Sequence, residues 1–273
     1  MITTRDRPGL MTAEDFEDPV APPESLRPWF TEIGRIPAFF DLSPKFAHVP
    51  QAATTIVLRG DASDHRDVLV VGPHTRAVYA AAKQPVGCLR LRLAPGAVQP
   101  LLGLPAADLA DKVVLISDVP GVAADFAAEL TELNLDEVLP FLGSVLPQHI
   151  PTSDIHQAHR RLLESAVHAL STAPGSITDL AAALSVSERH LRNLFSAGIG
   201  VSPKHFARIT RIRQVLAAAG NTPWSDLAHT ASFYDQSHMV ADFRSLMGVT
   251  PDRFFRGIVP APSPCRSITM LSK

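Results

Sequence analysis

The chain has 273 residues, 46% of them hydrophobic, and its 25 Lys and Arg against 27 Asp and Glu give a formal net charge of −2. This length and apolar content predict two domains, each with its own core. No apolar run reaches the ~18–20 residues of a membrane span, and the charged N-terminus does not resemble a signal peptide. We therefore expect a cytoplasmic protein with no membrane partner.

The first part of the chain predicts a leader followed by a sheet. Residues 1–24 contain four prolines and several acidic residues without an apolar period, which predicts a flexible leader. A domain over 25–150 follows, in which Leu89, Leu91 and Leu93 alternate with Arg90 and Arg92, the pattern of a strand with one buried and one solvated face. Strands are predicted at 54–59, 67–71, 76–81 and 86–93, with helices at 97–103, 106–109, 122–133 and 135–146.

This first domain contains few of the sequence patterns that form catalytic sites. It has no Gly-rich phosphate loop, no nucleophile elbow and no Cys-x-x-Cys pair, so we expect neither an enzyme nor a cofactor. Two alternatives stay open: an N-terminal catalytic activity, for which His74 near Arg76 is the nearest approach to a polar site, and a purely oligomerising domain. The isolated His48, His65 and His74 predict no metal site.

The two cysteines, Cys88 and Cys265, lie far apart and indicate neither a disulfide framework nor a metal site. Cys88 falls in a predicted strand and is interpreted as buried filler rather than as a redox sensor.

A linker helix is predicted over residues 151–173, where apolar residues recur at helical spacing from Ile155 to Leu170. This stripe could pack on the first domain, on the segment that follows or on a second subunit. Packing within the chain is the favoured interpretation.

Residues 174–258 predict two bihelical units. In the first, Ile177, Leu180 and Leu184 form an apolar stripe, and Ser187 is placed to cap a second helix over 187–197. The outward positions of that helix are Glu188, Arg189, Arg192 and Asn193. Arginine and asparagine are the side chains that pair bidentately with guanine and adenine in a major groove.

The second unit repeats this pattern. Trp224, Leu227 and Ala228 mark its first helix, and Asp235 can cap a second helix over 235–247, 48 residues after Ser187. Gln236, Ser237 and His238 stand near the N-terminus of that helix, where they could hold phosphates or merely cap it. A connecting helix joins the units; it begins at Ser202-Pro203 and ends at Gly220-Asn221. It carries Lys204 and Arg208 as candidate phosphate contacts. Arg211 and Arg213 are further candidates on this helix, but they could equally form ion pairs.

This region resembles the AraC/XylS family of bacterial transcription regulators. The resemblance covers about the last hundred residues and rests on Gly200-Val201-Ser202-Pro203, the segment from Arg208 to Arg213, Asp235-Gln236-Ser237-His238, Phe243, Gly248-Val249-Thr250-Pro251, Phe254 and Arg256. Two positions depart from the family pattern. Ser232 stands where the family usually has glycine, which predicts a strained turn, and Val240-Ala241 replace polar readers, so we expect the first unit to read most of the bases.

The resemblance implies a sequence-specific DNA-binding transcription regulator, either activator or repressor, whose two recognition helices enter adjacent major grooves of double-stranded DNA. RNA polymerase, a small-molecule effector and a second copy of the chain are further candidate partners. A weaker similarity, at Gly72-Pro73, Pro95-Gly96 and Leu101-Leu102-Gly103, implies the sensor-like N-terminal domain of actinobacterial-type members. The expected fold class is α+β: a small antiparallel sheet or cupin-like barrel with helices, followed by an all-α domain.

The net charge differs between the two predicted parts of the chain. Residues 1–150 hold 12 basic and 19 acidic side chains, a net of −7, whereas residues 151–258 hold 11 and 8, a net of +3. Phosphate binding needs only such a local surplus. The last residues, 259–273, are predicted to form a disordered tail.

Overall fold

The computed structural model describes residues 10, 12–36, 45–60, 66–81, 87–150, 154–172, 175–219 and 222–262. Within them, the N-terminal part contains eight β-strands and the rest of the chain is helical. The strands are β1 Asp18–Val20, β2 Phe30–Ile36, β3 Lys45–His48, β4 Thr55–Gly60, β5 Arg66–Val71, β6 Val78–Ala81, β7 Cys88–Leu93 and β8 Val113–Leu115.

Six strands form one antiparallel sheet in the order β1-β2-β7-β4-β5-β8, and β3 pairs with β6 in a separate two-stranded sheet. The alternation predicted for β7 is confirmed, because Leu89, Leu91 and Leu93 are buried on one face. That face packs on three helices, α1 Val98–Leu102, α2 Ala127–Glu132 and α3 Leu135–His149. Burial of these apolar faces supplies the core of the first domain.

The alternation in β7 also predicted that its opposite face is solvated. In the structure that face is covered by another segment of the chain. Residues 12–20, predicted as part of a flexible leader, form a 3-10 helix at Ala13–Phe16 and strand β1. Glu17 from this segment pairs with Arg90 at 2.7 Å, and their side chains are only 5% and 15% exposed. Arg92 pairs with Glu32 on β2 at 2.8 Å. The arginines therefore attract the leader onto the sheet, which an apolar period could not reveal.

In the described residues after 150 seven helices follow: α4 Asp154–Thr172, α5 Ile177–Ala183, α6 Glu188–Gly198, α7 Pro203–Ala218, α8 Trp224–Thr230, α9 Gln236–Met247 and α10 Pro251–Phe255. The linker helix α4 packs on α6 and α7 through Leu163, Ala166 and Leu170. This matches the prediction that its stripe packs within the chain.

The β-sheet domain rests directly on the helical region. The amide of Ala77 donates to the carbonyl of Leu246 at 2.8 Å, and the Tyr79 hydroxyl donates to that of Met247 at 2.6 Å. Ala47, Val49 and Tyr79 join the same buried cluster as α7 and α9. Gly200, at φ +91°, allows a further close approach, since a Cβ there would lie 2.7 Å from the carbonyl oxygen of Ala106. The two halves of the described chain thus share a packed interface.

Candidate nucleic-acid interface

The first bihelical unit consists of α5 and α6 joined by a tight turn. Ser185 has φ +56° in this turn, and the Ser187 hydroxyl then accepts a hydrogen bond from the amide of His190 at 3.1 Å, which caps α6 as predicted. Leu191 and Phe195 are fully buried. The packing of these two residues determines which face of α6 points outward.

The outward face of α6 carries the predicted base readers. Arg189, Arg192 and Asn193 are exposed. Glu188 accepts a hydrogen bond from the Thr178 hydroxyl at 2.6 Å and also pairs with Nη2 of Arg192. Glu188 therefore links α5 to α6 and holds the Arg192 guanidinium on the helix surface.

The second unit consists of α8 and α9. Ser232 in its turn has φ +56°, which matches the strain expected where a family glycine is missing. The carboxylate of Asp235 caps α9 by accepting from the amide of His238 at 2.7 Å, and Gly248, at φ +73°, ends the helix. Gln236, Ser237 and His238 are exposed beside this cap. The His238 ring also meets the edge of Phe233, with ring centroids 5.5 Å apart, so part of its role is packing.

A buried carboxylate joins the second unit to the connecting helix α7. Asp242 on α9 is 8% exposed and lies 2.9 Å from Nη2 of Arg208 and 3.4 Å from Nη2 of Arg211, both on α7. Arg208 also donates to the Ser245 hydroxyl at 3.1 Å. Arg211 stacks over the Phe233 ring at 4.8 Å, and burial lowers its pKa although Asp242 opposes that effect. Arg208, predicted as a phosphate contact, thus pairs with Asp242 and holds α7 against α9.

The remaining basic residues of α7 separate into two roles. Lys204 is exposed in the first turn. Arg213 turns toward the first domain, where Nη1 and Nη2 contact the carboxylate of Glu14 at 2.8 and 2.9 Å. Burial raises the pKa of Glu14, but the attraction and hydrogen bonds of Arg213 outweigh it and leave that pKa below its usual value. Arg213 thus forms an ion pair between the halves of the chain.

Two exposed residues were missed by sequence reasoning. Tyr234 stands directly before the α9 cap with 92% of its surface exposed, and Arg244 is exposed on α9 and forms no ion pair with any residue that the structure describes. Arg244 is seven positions after Ser237, so both fall on one helix face. That spacing was the signal that could have found Arg244.

The other residues singled out in the sequence lie away from this surface. His48 and His74 were predicted to be isolated, but their ring centroids are 5.9 Å apart. His65 and Cys265 lie outside the described residues. Among the residues that are described, no three His, Cys, Asp or Glu side chains are grouped to hold a metal ion. Burial raises the pKa of Cys88 to about 11, which keeps it a thiol.

The helical region has the geometry of a tandem helix-turn-helix DNA-binding protein. The 16 residues of α7 span about 24 Å, and the flanking recognition helices extend the module toward the ~34 Å repeat of the major groove. A family model described as a helix-turn-helix domain matches residues 180–257. These residues form a helix-turn-helix domain, and the chain is a DNA-binding transcription regulator.

The solved structures to which this chain is similar have low sequence identity to it. A probable AraC family transcriptional regulator from Rhodopseudomonas palustris CGA009 is 21% identical over 37% of this chain and 99% of its own, with a TM-score of 0.31. The C-terminal domain of the response regulator yesN from Fusobacterium nucleatum is 16% identical over 37% of this chain and 98% of its own, with a TM-score of 0.32. ToxT from Vibrio cholerae O395 is 12% identical over 84% and 97%, with a TM-score of 0.39.

None of the helices in the described segments has both the length and the apolar character required to cross a membrane.

Proposed function

We propose that the two units divide the work of DNA recognition. The first reads bases through Arg189, Arg192 and Asn193 on α6, and the second positions the sugar-phosphate backbone through Gln236 and Ser237. The observation that carries this proposal is the exposure of the α6 reader set beside a buried Leu191 and Phe195. Arginine and asparagine discriminate bases, whereas contacts to phosphate carry no sequence information directly.

The rest of the predicted set supports the readers. Ser187 caps α6, Glu188 holds Arg192 in place, and Lys204 at the start of α7 contacts phosphate. His238 packs on Phe233 and contacts the backbone only with its outer edge. Arg208 keeps α7 and α9 in register through Asp242 and does not reach DNA.

The N-terminal domain, which we place at residues 25–150 together with the segment 12–20 that contributes β1, controls the DNA-binding module by binding a small molecule, by forming a homodimer or by both. Its contacts to α6, α7 and α9 support this role, because they connect the sheet domain directly to both units and to the helix between them. The linker helix α4 completes the connection by packing on the first unit. We propose that this control works through binding rather than catalysis.

Selection of preferred duplexes from a random pool, followed by footprinting, tests the proposal. On the preferred site, Arg192→Gln should cost ~1–3 kcal/mol and relax specificity at one position, because a bidentate base contact is lost. Lys204→Gln should weaken binding to preferred and random DNA alike and reduce the salt dependence. Arg27→Gln, an exposed arginine of the sheet domain, is the matched control and should change neither.

Equal losses on preferred and random DNA for Arg192→Gln would remove it from the readers. Footprints confined to one major groove would remove the second unit from the interface.

A further inference from the structure

A cavity of about 240 Å³ lies where the sheet domain, the linker helix and the first recognition helix meet. Its walls come from Pro28 and Trp29, from the start of α1 around Ala97, from α4, and from Leu194, Ala197 and Gly198 on α6. Leu194, Ala197 and Gly198 are on the helix that carries the proposed base readers. The cavity therefore touches the recognition helix from the side of the protein.

The polar side chains that line this cavity all carry hydrogen-bond donors, and none of the lining residues carries a carboxylate. His156, His159 and Arg160 line it from α4, together with Gln99 and Gln157. Arg160 donates from Nε to Glu164 at 2.7 Å, and its terminal nitrogens have no hydrogen bond within the described residues. A guanidinium with free terminal nitrogens is suited to a carboxylate.

A second unsatisfied donor belongs to the same lining. Nε1 of Trp29 is buried and has no hydrogen-bond partner in the part of the chain that the structure describes. Leaving a buried donor unpaired is costly, and such groups in folded proteins call for a specific explanation. The apolar walls beside it, including Ala97, Ile150 and Leu163, suit a hydrocarbon or aromatic body.

We infer that this cavity binds a small monocarboxylate with a compact apolar body. The carboxylate pairs with Arg160, Trp29 supplies a further donor after a small rotation of its ring, and the apolar part fills the space against Leu194. The volume corresponds to about eight water molecules, which excludes a long chain. The inference rests on the proposed controlling role of the N-terminal domain and names the class of molecule that would exercise it.

The position of the cavity connects such a ligand to DNA recognition. The amide of Gly96 donates to the carbonyl of Gly198 at 3.2 Å, and the His159 ring lies 5.7 Å from that of His190 in the first turn of α6. A molecule that fills the cavity stabilises this arrangement of the sheet domain, α4 and α6 by mass action. It thereby biases the orientation of the first recognition helix.

Calorimetry and thermal unfolding of the full chain without DNA test the inference. Phenylacetate should bind saturably and raise the unfolding temperature, whereas phenylacetamide, of the same shape but uncharged, should bind at least about tenfold more weakly because it cannot pair with Arg160. Arg160→Gln should weaken phenylacetate binding about tenfold or more, and Trp29→Phe about threefold. Arg253→Gln, at an exposed arginine of α10 outside the cavity, is the matched control and should leave binding unchanged.

Ala197→Leu provides a variant that keeps every charge but fills the cavity. Loss of phenylacetate binding in this variant, with unchanged unfolding temperature in buffer, supports the site. Binding that persists in Ala197→Leu, equal affinity for acid and amide, or no binding by either phenylacetate or hexanoate at about 1 mM overturns it. These measurements contain no DNA, so their failure is distinguishable from a failure of base reading by Arg192.

Discussion

Asp242 is the residue whose substitution should most reduce the stability of the DNA-binding module. It accepts from Nε of Arg208 at 3.0 Å and from Nη2 of Arg211 at 3.4 Å. Replacing it by asparagine keeps the volume but leaves two half-buried guanidinium groups without a counter-charge. Removing one partner of a fully buried pair costs ~3–5 kcal/mol. The Arg208 and Arg211 side chains are 26% and 17% exposed, so water offsets part of this cost and we expect a loss of about 2–3 kcal/mol.

Urea unfolding of Asp242→Asn, followed by circular dichroism and tryptophan fluorescence, measures this loss. The matched control is Asp252→Asn, which removes an exposed carboxylate paired with Arg256 at 2.9 Å and should cost less than about 0.5 kcal/mol. DNA affinity should also fall for Asp242→Asn, because α7 and α9 lose the contact that holds their orientation. If the two variants lose the same stability, Asp242 does not organise the junction and the reasoning fails.

Three further variants test particular contacts. Ser232→Gly should stabilise the chain against urea by about 0.5–1 kcal/mol, because the removal of strain at φ +56° outweighs the larger entropy that glycine loses on folding. An unchanged free energy of unfolding would show that the turn is not strained. Burial lowers the pKa of His205, whose ring lies 3.3 Å from the carbonyl of Thr75, below the usual value for histidine. As the pH falls, the unfolded chain therefore takes up the proton before the folded chain does, so the free energy of unfolding is full above about pH 6.5 and decreases as the pH drops toward the lowered pKa. Urea midpoints for His205→Gln should not show this decrease. An unchanged decrease in the variant would exclude His205 as its source. Tyr79→Phe should cost about 1–2 kcal/mol in the same assay by leaving the Met247 carbonyl unpaired, and since burial raises the pKa of Tyr79 to about 12, the loss should not vary near neutral pH.

The helix-turn-helix units were predictable because their information is local. Ser187 and Asp235 cap the two recognition helices as their positions predicted, and the apolar spacing placed Leu191 and Phe243 in the core. An N-cap involves residues three positions apart, and an apolar stripe involves residues within two or three turns. Such patterns can be read from a short window of sequence.

The sheet domain was only partly predictable. Four strands were anticipated near their observed bounds, but β1, β2, β3 and β8 were not. Strand β2 buries Phe30, Ile33 and Gly34 without the regular alternation of a half-buried strand, and its register shifts between Phe30 and Glu32. Strand pairing joins segments far apart in the chain, so a short or irregular strand has no signature of its own until its partner is present.

The sequence by itself determined that the carboxy-terminal region forms two capped bihelical units and that Arg189, Arg192 and Asn193 face outward. Only the tertiary structure decided which basic side chains remain exposed and available to contact DNA. Lys204 and Arg208 stand four positions apart on one helix, yet Lys204 is exposed while Arg208 pairs with Asp242, and Arg213 pairs with Glu14 at the other end of the chain. Periodicity reports which side of a helix is apolar, whereas an ion pair depends on where a distant carboxylate arrives when the chain folds.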